Sequence, residues 1–124
     1  MFCRKYRRSF GSVAKSGMPT GSTGASSELI VCADLLKKGV HVFRAQSPAC
    51  PCDLIAMKGS VILRIEVRTG TIGAKGKLNF PLHRGDEEKS DIVSVVTHDW
   101  DIYYLNHQLA EVDIDKLLLL RREV

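Results

Sequence analysis

The sequence lacks long apolar runs. Nowhere in its 124 residues does a stretch approach the roughly 20 apolar residues that cross a bilayer, and the leucines of "KLLLLRREV" stop after four. A membrane-spanning helix is therefore not expected. Nothing has the layout of a secretory signal. The "CPC" at residues 50–52 has no second CxxC and no HxxxH beside it, so the spacing of a complete zinc site is missing. A zinc module on Cys50 and Cys52 stays only as an outlying alternative. The four cysteines, Cys3, Cys32, Cys50 and Cys52, read as reduced thiols in a cytoplasmic setting. Acid is absent from residues 1–27, which carry Arg4, Lys5, Arg7, Arg8 and Lys15, so most of the net charge of +4 belongs to that segment. No segment repeats another.

What is present suits one globular domain with a modest core, at 44% apolar and 26% charged residues. Residues 1–25 read as a basic, flexible arm, and residues 26–124 as the domain. Such an arm is drawn to phosphate or anionic lipid. An organelle-targeting segment, Arg-rich and acid-free, is the alternative reading.

From residue 26 the pattern is regular. Ser26 or Ser27 suits a helix N-cap, with Glu28 in the first turn, where the dipole favours an acid. Leu29, Cys32, Leu35 and Leu36 form a helical stripe, and Gly39 suits the position just past the helix end. Strands are expected over residues 40–45, 53–57 and 61–68. The second and third form an antiparallel hairpin across the "KGS" turn and lie centrally, because both are nearly all apolar. Residues 69–90 read as a long loop. Strands over 91–97 and 101–106 follow, then a closing helix near 108–121, with a short strand before it as the alternative. The order α-β-β-β-(loop)-β-β-α makes an α/β protein, a central mixed sheet flanked by helices.

Three acids fall on these elements: Glu28 on the helix, Asp53 at the head of strand two, and Glu66 late in strand three. The start of strand two lies beside the end of strand three, so Asp53 and Glu66 are expected to be neighbours. Glu66 and Arg68, two apart on a strand, share a face. Two carboxylates at a sheet edge with a cation beside them suit a hard divalent metal, Mg²⁺ or Mn²⁺. Each residue has a plainer reading. Glu66 and Arg68 would be a same-face ion pair on an edge strand, Asp53 a turn cap after Pro51, and Glu28 a complement to the helix dipole. Burying three acids with no metal would raise their pKa values or cost several kcal/mol.

The carriers "GASSELIVCADLLKKGVHVFRAQSPACPCDLIAM", "LRIEVRTG" and "SDIVSVV" resemble the PD-(D/E)XK, or restriction-endonuclease-like, nuclease superfamily, near its small Holliday-junction-resolvase-like and intron-endonuclease-like members. The resemblance spans residues 24–106. The PD motif has become Cys52-Asp53, the (D/E)XK motif Glu66-Val67-Arg68, and the helix glutamate matches Glu28. What the resemblance implies is a Mg²⁺- or Mn²⁺-dependent endodeoxyribonuclease, with metal on Asp53, Glu66 and the Val67 carbonyl. It implies catalytic roles for Glu28, Asp53, Glu66 and Arg68. Branched or structured DNA and a homodimer are the expected substrate and assembly, with RNA as an open alternative. Lys75, Lys77, His83 and Arg84 would meet the nucleic-acid backbone. Arg68 departs from the family's lysine, because a guanidinium effectively never loses its proton. It can clamp phosphate but not act as general base. That raises a second reading, a weakened or inactive nucleic-acid-binding protein on the same fold. Trp100, in a hairpin turn, is read as packing partly on the core, with base stacking as the alternative.

Overall fold

The computed structural model describes residues 20–82 and 89–119. The first helix, α1 (Thr20–Lys37), starts two turns before the expected cap. Its end is as expected. Gly39 has φ 80°, its N–H donates to Leu36 O at 3.0 Å, and Val40 N–H donates to Leu35 O at 3.1 Å. That is a Schellman closure, and only glycine takes such a φ without a Cβ penalty.

The strands are β1 (His41–Arg44), β2 (Leu54–Lys58), β3 (Val61–Ile72), β4 (Leu78–Asn79), β5 (Ile92–Thr97) and β6 (Ile102–Leu105). A short helix, α2 (Ile114–Leu119), closes the described chain. The sheet order is β1-β2-β3-β5-β6, with β4 paired to β3. β2 and β3 form the expected antiparallel hairpin, with Leu54 opposite Ile65. β3 and β5 run parallel, with Glu66 opposite Val93 and Arg68 opposite Val95. The result is the α/β architecture expected, a mixed sheet with helices against it.

The differences have physical causes. The buried row of α1 is Ser27, Val31 and Leu35, with Cys32 beside it, whereas Leu29 and Leu36 are 54% and 59% exposed. The apolar residues of "LIVCADLL" wrap most of the helix, so the sequence leaves its phase undecided. β2 and β3 both lie inside the sheet, as expected, each with a strand on either side, but β2 is not buried on both faces. It buries alternate residues, and the strand buried on both faces is β5. The loop reading of residues 69–90 gives way in part to a hairpin. β3 runs on to Ile72 and β4 folds back on it, with Thr71 opposite Asn79. The closing helix starts later than expected, at Ile114. Residues 106–110 turn instead, Glu111 bridges Leu105, and Asp113 Oδ1 caps α2 by accepting from Asp115 N–H at 3.1 Å. Trp100 turns the β5–β6 hairpin at φ 68° and is 40% exposed, so it is not a core residue.

One core cluster lies between the sheet and both helices and includes Val31, Leu35, Leu54, Ile65, Val96, Tyr104, Ile114 and Leu118. The Tyr104 hydroxyl donates to Asp34 Oδ2 at 2.6 Å, and burial, then Asp34, pushes its pKa far above the usual phenol value. On the opposite face Val93, Val95 and Leu105 pack under Leu78, Phe80 and Tyr103. No helix among the described residues is long and apolar enough to cross a membrane.

Candidate active site

β3 outruns β2. Their pairing stops at Leu54 opposite Ile65, and β4 pairs with β3 only at Thr71 and Ile72, so from Glu66 to Gly70 β3 has a strand on its β5 edge alone. The gap is a cleft of about 320 Å³, lined by Thr23, Gly24 and Glu28 of α1, by Val67, Arg68 and Thr69 of β3, and by Pro81. Asp53 is hydrogen-bonded to the β3 wall. The Asp53 N–H donates to Ile65 O at 3.1 Å, and its Oδ2 accepts from Val67 N–H at 2.8 Å. A carboxylate thus replaces the next backbone acceptor of the ladder and brackets Glu66 on both sides. Asp53 is no turn cap after Pro51, because its acceptor serves β3.

Glu66 and Arg68 share a face, as period two requires. Arg68 Nη1 donates to Glu66 Oε2 at 2.7 Å and to the Val67 carbonyl at 3.1 Å. The same-face ion pair of the plainer reading is thus present, but on an inner strand and with both side chains only 12% exposed. Glu28 lies in the third turn of α1, not the first, and the dipole's influence fades within the first turn. Its partner is Arg44, whose Nη2 donates to Glu28 Oε1 at 3.1 Å.

Glu28, Val67 and Arg68 therefore line one cleft, with Asp53 and Glu66 bonded to its β3 wall, but each acid has its own partner: Arg44, the Val67 amide, or Arg68. Among the described residues no three His, Cys, Asp or Glu side chains stand close enough to hold a metal. None of the three acids is fully buried, and arginines compensate two of them, Glu28 and Glu66.

The pKa of the Cys52 thiol is raised by burial, opposed by a hydrogen bond with Ile65, and raised further by the charges of Glu66 and Asp53. Cys50 is exposed while Cys52 is buried, its thiol donating to Leu54 O at 3.5 Å. Lys75 and Lys77 are exposed at the turn of the β3–β4 hairpin, beyond the cleft. His83 and Arg84 lie outside the described residues.

Sequence reasoning missed four contributors. Ser27 and Thr69, joined by a 2.6 Å hydrogen bond between hydroxyls, tie α1 to β3 at the cleft. Arg44 ends an edge strand and gave no signal beyond its charge. Asp91 opens the strand expected over residues 91–97, with no motif to mark it. Its carboxylate takes Arg64 Nε at 3.2 Å, Nη2 at 3.0 Å and the Arg64 amide at 2.8 Å, and its own N–H donates to Arg64 O at 2.8 Å. It pins the start of β5 to β3, and so sets the parallel register behind Glu66.

Burial opposes ionisation of Asp91, but the bonds and charge of Arg64 outweigh it and hold the pKa below the usual carboxylate range. A depressed folded pKa gives stability that is present above the unfolded value, about 3.9, and is lost as pH falls through the folded one. Asp91→Asn is therefore expected to melt below the parent at pH 7. The gap should shrink as pH drops below about 4. Thermal melts across pH 2–7 check this, and a gap independent of pH would rule it out.

A sequence model of the PD-(D/E)XK endonuclease family matches residues 18–114, most of the chain. The chain belongs to the PD-(D/E)XK endonuclease family. Among solved structures it is similar to the bacterial homing endonuclease I-Ssp6803I, with TM-score 0.63 and 16% identity over 73% of this chain and 67% of that one. At that identity the likeness concerns the fold. No curated protein sequence matches significantly.

Proposed function

We propose that this chain is a divalent-metal-dependent DNA endonuclease whose site is the cleft at the head of β2. The observation that carries the reading is the bracketing of Glu66 by Asp53, beside a cleft lined by Glu28, Val67 and Arg68. The donors on offer, two carboxylates and the Val67 carbonyl, are all oxygen and suit Mg²⁺ or Mn²⁺. Two of them already hold a positive charge, that of Arg68 Nη1. A divalent ion held there would supply a water of lowered pKa and offset charge on the phosphate.

The remaining roles fall to the chain. Asp53 fixes the backbone on either side of Glu66. Glu28, from the opposite wall, orients water. Arg68 binds the scissile phosphate through its fork, always charged and never a base. Lys75 and Lys77 hold the backbone of bound DNA beyond the cleft, and the basic residues before Thr20 add non-specific affinity. DNA is favoured as substrate by the family and by the homing-endonuclease likeness. A branched or otherwise structured duplex and a homodimer, one site per strand, complete the reading. Free thiols at Cys32, Cys50 and Cys52 suit a cytoplasmic protein.

One observation favours the second reading, a nucleic-acid-binding protein with weakened catalysis. The Glu66 carboxylate is already engaged by Arg68. A panel of branched, nicked, linear and single-stranded substrates with Mg²⁺, Mn²⁺ or chelator separates the two. Metal-dependent cleavage that disappears in Asp53→Ala, and that Arg68→Lys matches or exceeds, is expected. Tight binding with no cleavage under any condition would favour the second reading.

A further inference from the structure

The pairing of the acids has a consequence for metal binding, resting on the metallonuclease reading above. Arg68 Nη1 stands 2.7 Å from Glu66 Oε2 and 3.1 Å from the Val67 carbonyl. These are two of the three groups assigned to the metal. A divalent ion in contact with both oxygens would occupy the space Nη1 fills, and its charge would repel the guanidinium. Glu28 is likewise engaged by Arg44 at 3.1 Å. The DNA-free site therefore carries three acids and two arginines, and is far less negative than its acids alone would make it.

We infer that Arg68 is an exchangeable internal cation. It holds the metal position in the DNA-free protein and releases it when a phosphodiester takes the guanidinium. The chemistry for the exchange is present. A phosphate offers the same bidentate acceptor geometry as a carboxylate, and Arg68 lines the cleft that phosphate would enter. Glu66 then faces the cleft without its cation and can take the metal. Metal and DNA binding become coupled through one side chain, and linkage makes the coupling reciprocal: DNA raises metal affinity by the factor by which metal raises DNA affinity. A neutral side chain at position 68 would remove the coupling, because nothing would block the site in the absence of DNA.

Mn²⁺ titration followed by electron paramagnetic resonance tests this without any turnover. The proteins are the parent chain, Arg68→Gln and Arg68→Met, each with and without a hydrolysis-resistant phosphorothioate duplex. Circular dichroism melts confirm that each folds, and the methionine variant keeps the side-chain volume if the glutamine variant does not fold. In DNA-free protein either variant is expected to bind Mn²⁺ at least tenfold more tightly than the parent. Adding duplex should raise parental affinity at least tenfold and variant affinity less than threefold. The gain should vanish in a Glu66→Gln background, which assigns it to this site. Equal affinities for parent and variants, unmoved by DNA, overturn the exchange while leaving a metal site in place. Absence of Mn²⁺ binding in every protein, with or without DNA, overturns both the exchange and the metallonuclease reading.

Discussion

Replacing Glu66 with Gln is expected to lower metal-dependent cleavage by on the order of 10³-fold, the scale on which preorganised charge at a reacting centre acts. The substitution keeps size and shape and removes only the charge. It also leaves the Arg68 guanidinium, 12% exposed, with a neutral acceptor in place of a carboxylate. Breaking one side of a buried charged pair costs stability, here about 1–3 kcal/mol. Activity and stability therefore fall together, and a structural effect must be separated from a catalytic one. The double variant Glu66→Gln, Arg68→Met does this. With both charges gone, no buried ion lacks a counter-charge, and stability should return most of the way. Cleavage should not return. Urea midpoints and single-turnover rates on the same preparations give both numbers. Recovery of cleavage with stability would show that Glu66 matters only as the partner of Arg68.

The second large effect concerns Gly70, which has no chemistry. A Cβ built there would stand 2.6 Å from the Asn79 carbonyl oxygen, 2.7 Å from Val95 Cγ1 and 3.1 Å from Phe80 Cβ. The first neighbour is backbone, so relief requires β4 to move off β3. Gly70→Ala is expected to cost about 1–3 kcal/mol, as overpacking does, and to lower the melting temperature by several degrees; Gly70→Val is expected to cost more. The displaced segment leads directly to Pro81 on the cleft wall, so cleavage should fall as well. A Gly70→Ala protein that melts with the parent would mean that the β3–β4 approach is not as close as described.

The site was more legible in the sequence than the packing around it. Asp53 and Glu66 could be placed side by side because the short "KGS" turn fixes hairpin register, and register carries a strand's start to its partner's end. Gly39 announced the end of α1 for an equally local reason. The phase of α1 could not be read, since Leu29 and Leu36 are as apolar as Val31 and Leu35, and only the sheet decides which pair it covers. Its start was hidden by Gly21 and Gly24, which read as linker but lie inside the helix. The Asp91–Arg64 clamp and the Arg44–Glu28 pair join residues 27 and 16 positions apart. Charge alone in a single sequence does not say which acid meets which base. The lysine-to-arginine change was visible at once, but that its nitrogen would lie against both Glu66 and the Val67 carbonyl was not.

The most direct measurement is anomalous diffraction from crystals of the protein with Mn²⁺ and an uncleaved duplex. A manganese peak bonded to carboxylate oxygens of Asp53 and Glu66, with Arg68 turned from Glu66 onto a phosphate, is the result expected. Bound DNA with no metal at these two residues, and the 2.7 Å contact between Arg68 and Glu66 still intact, would contradict it.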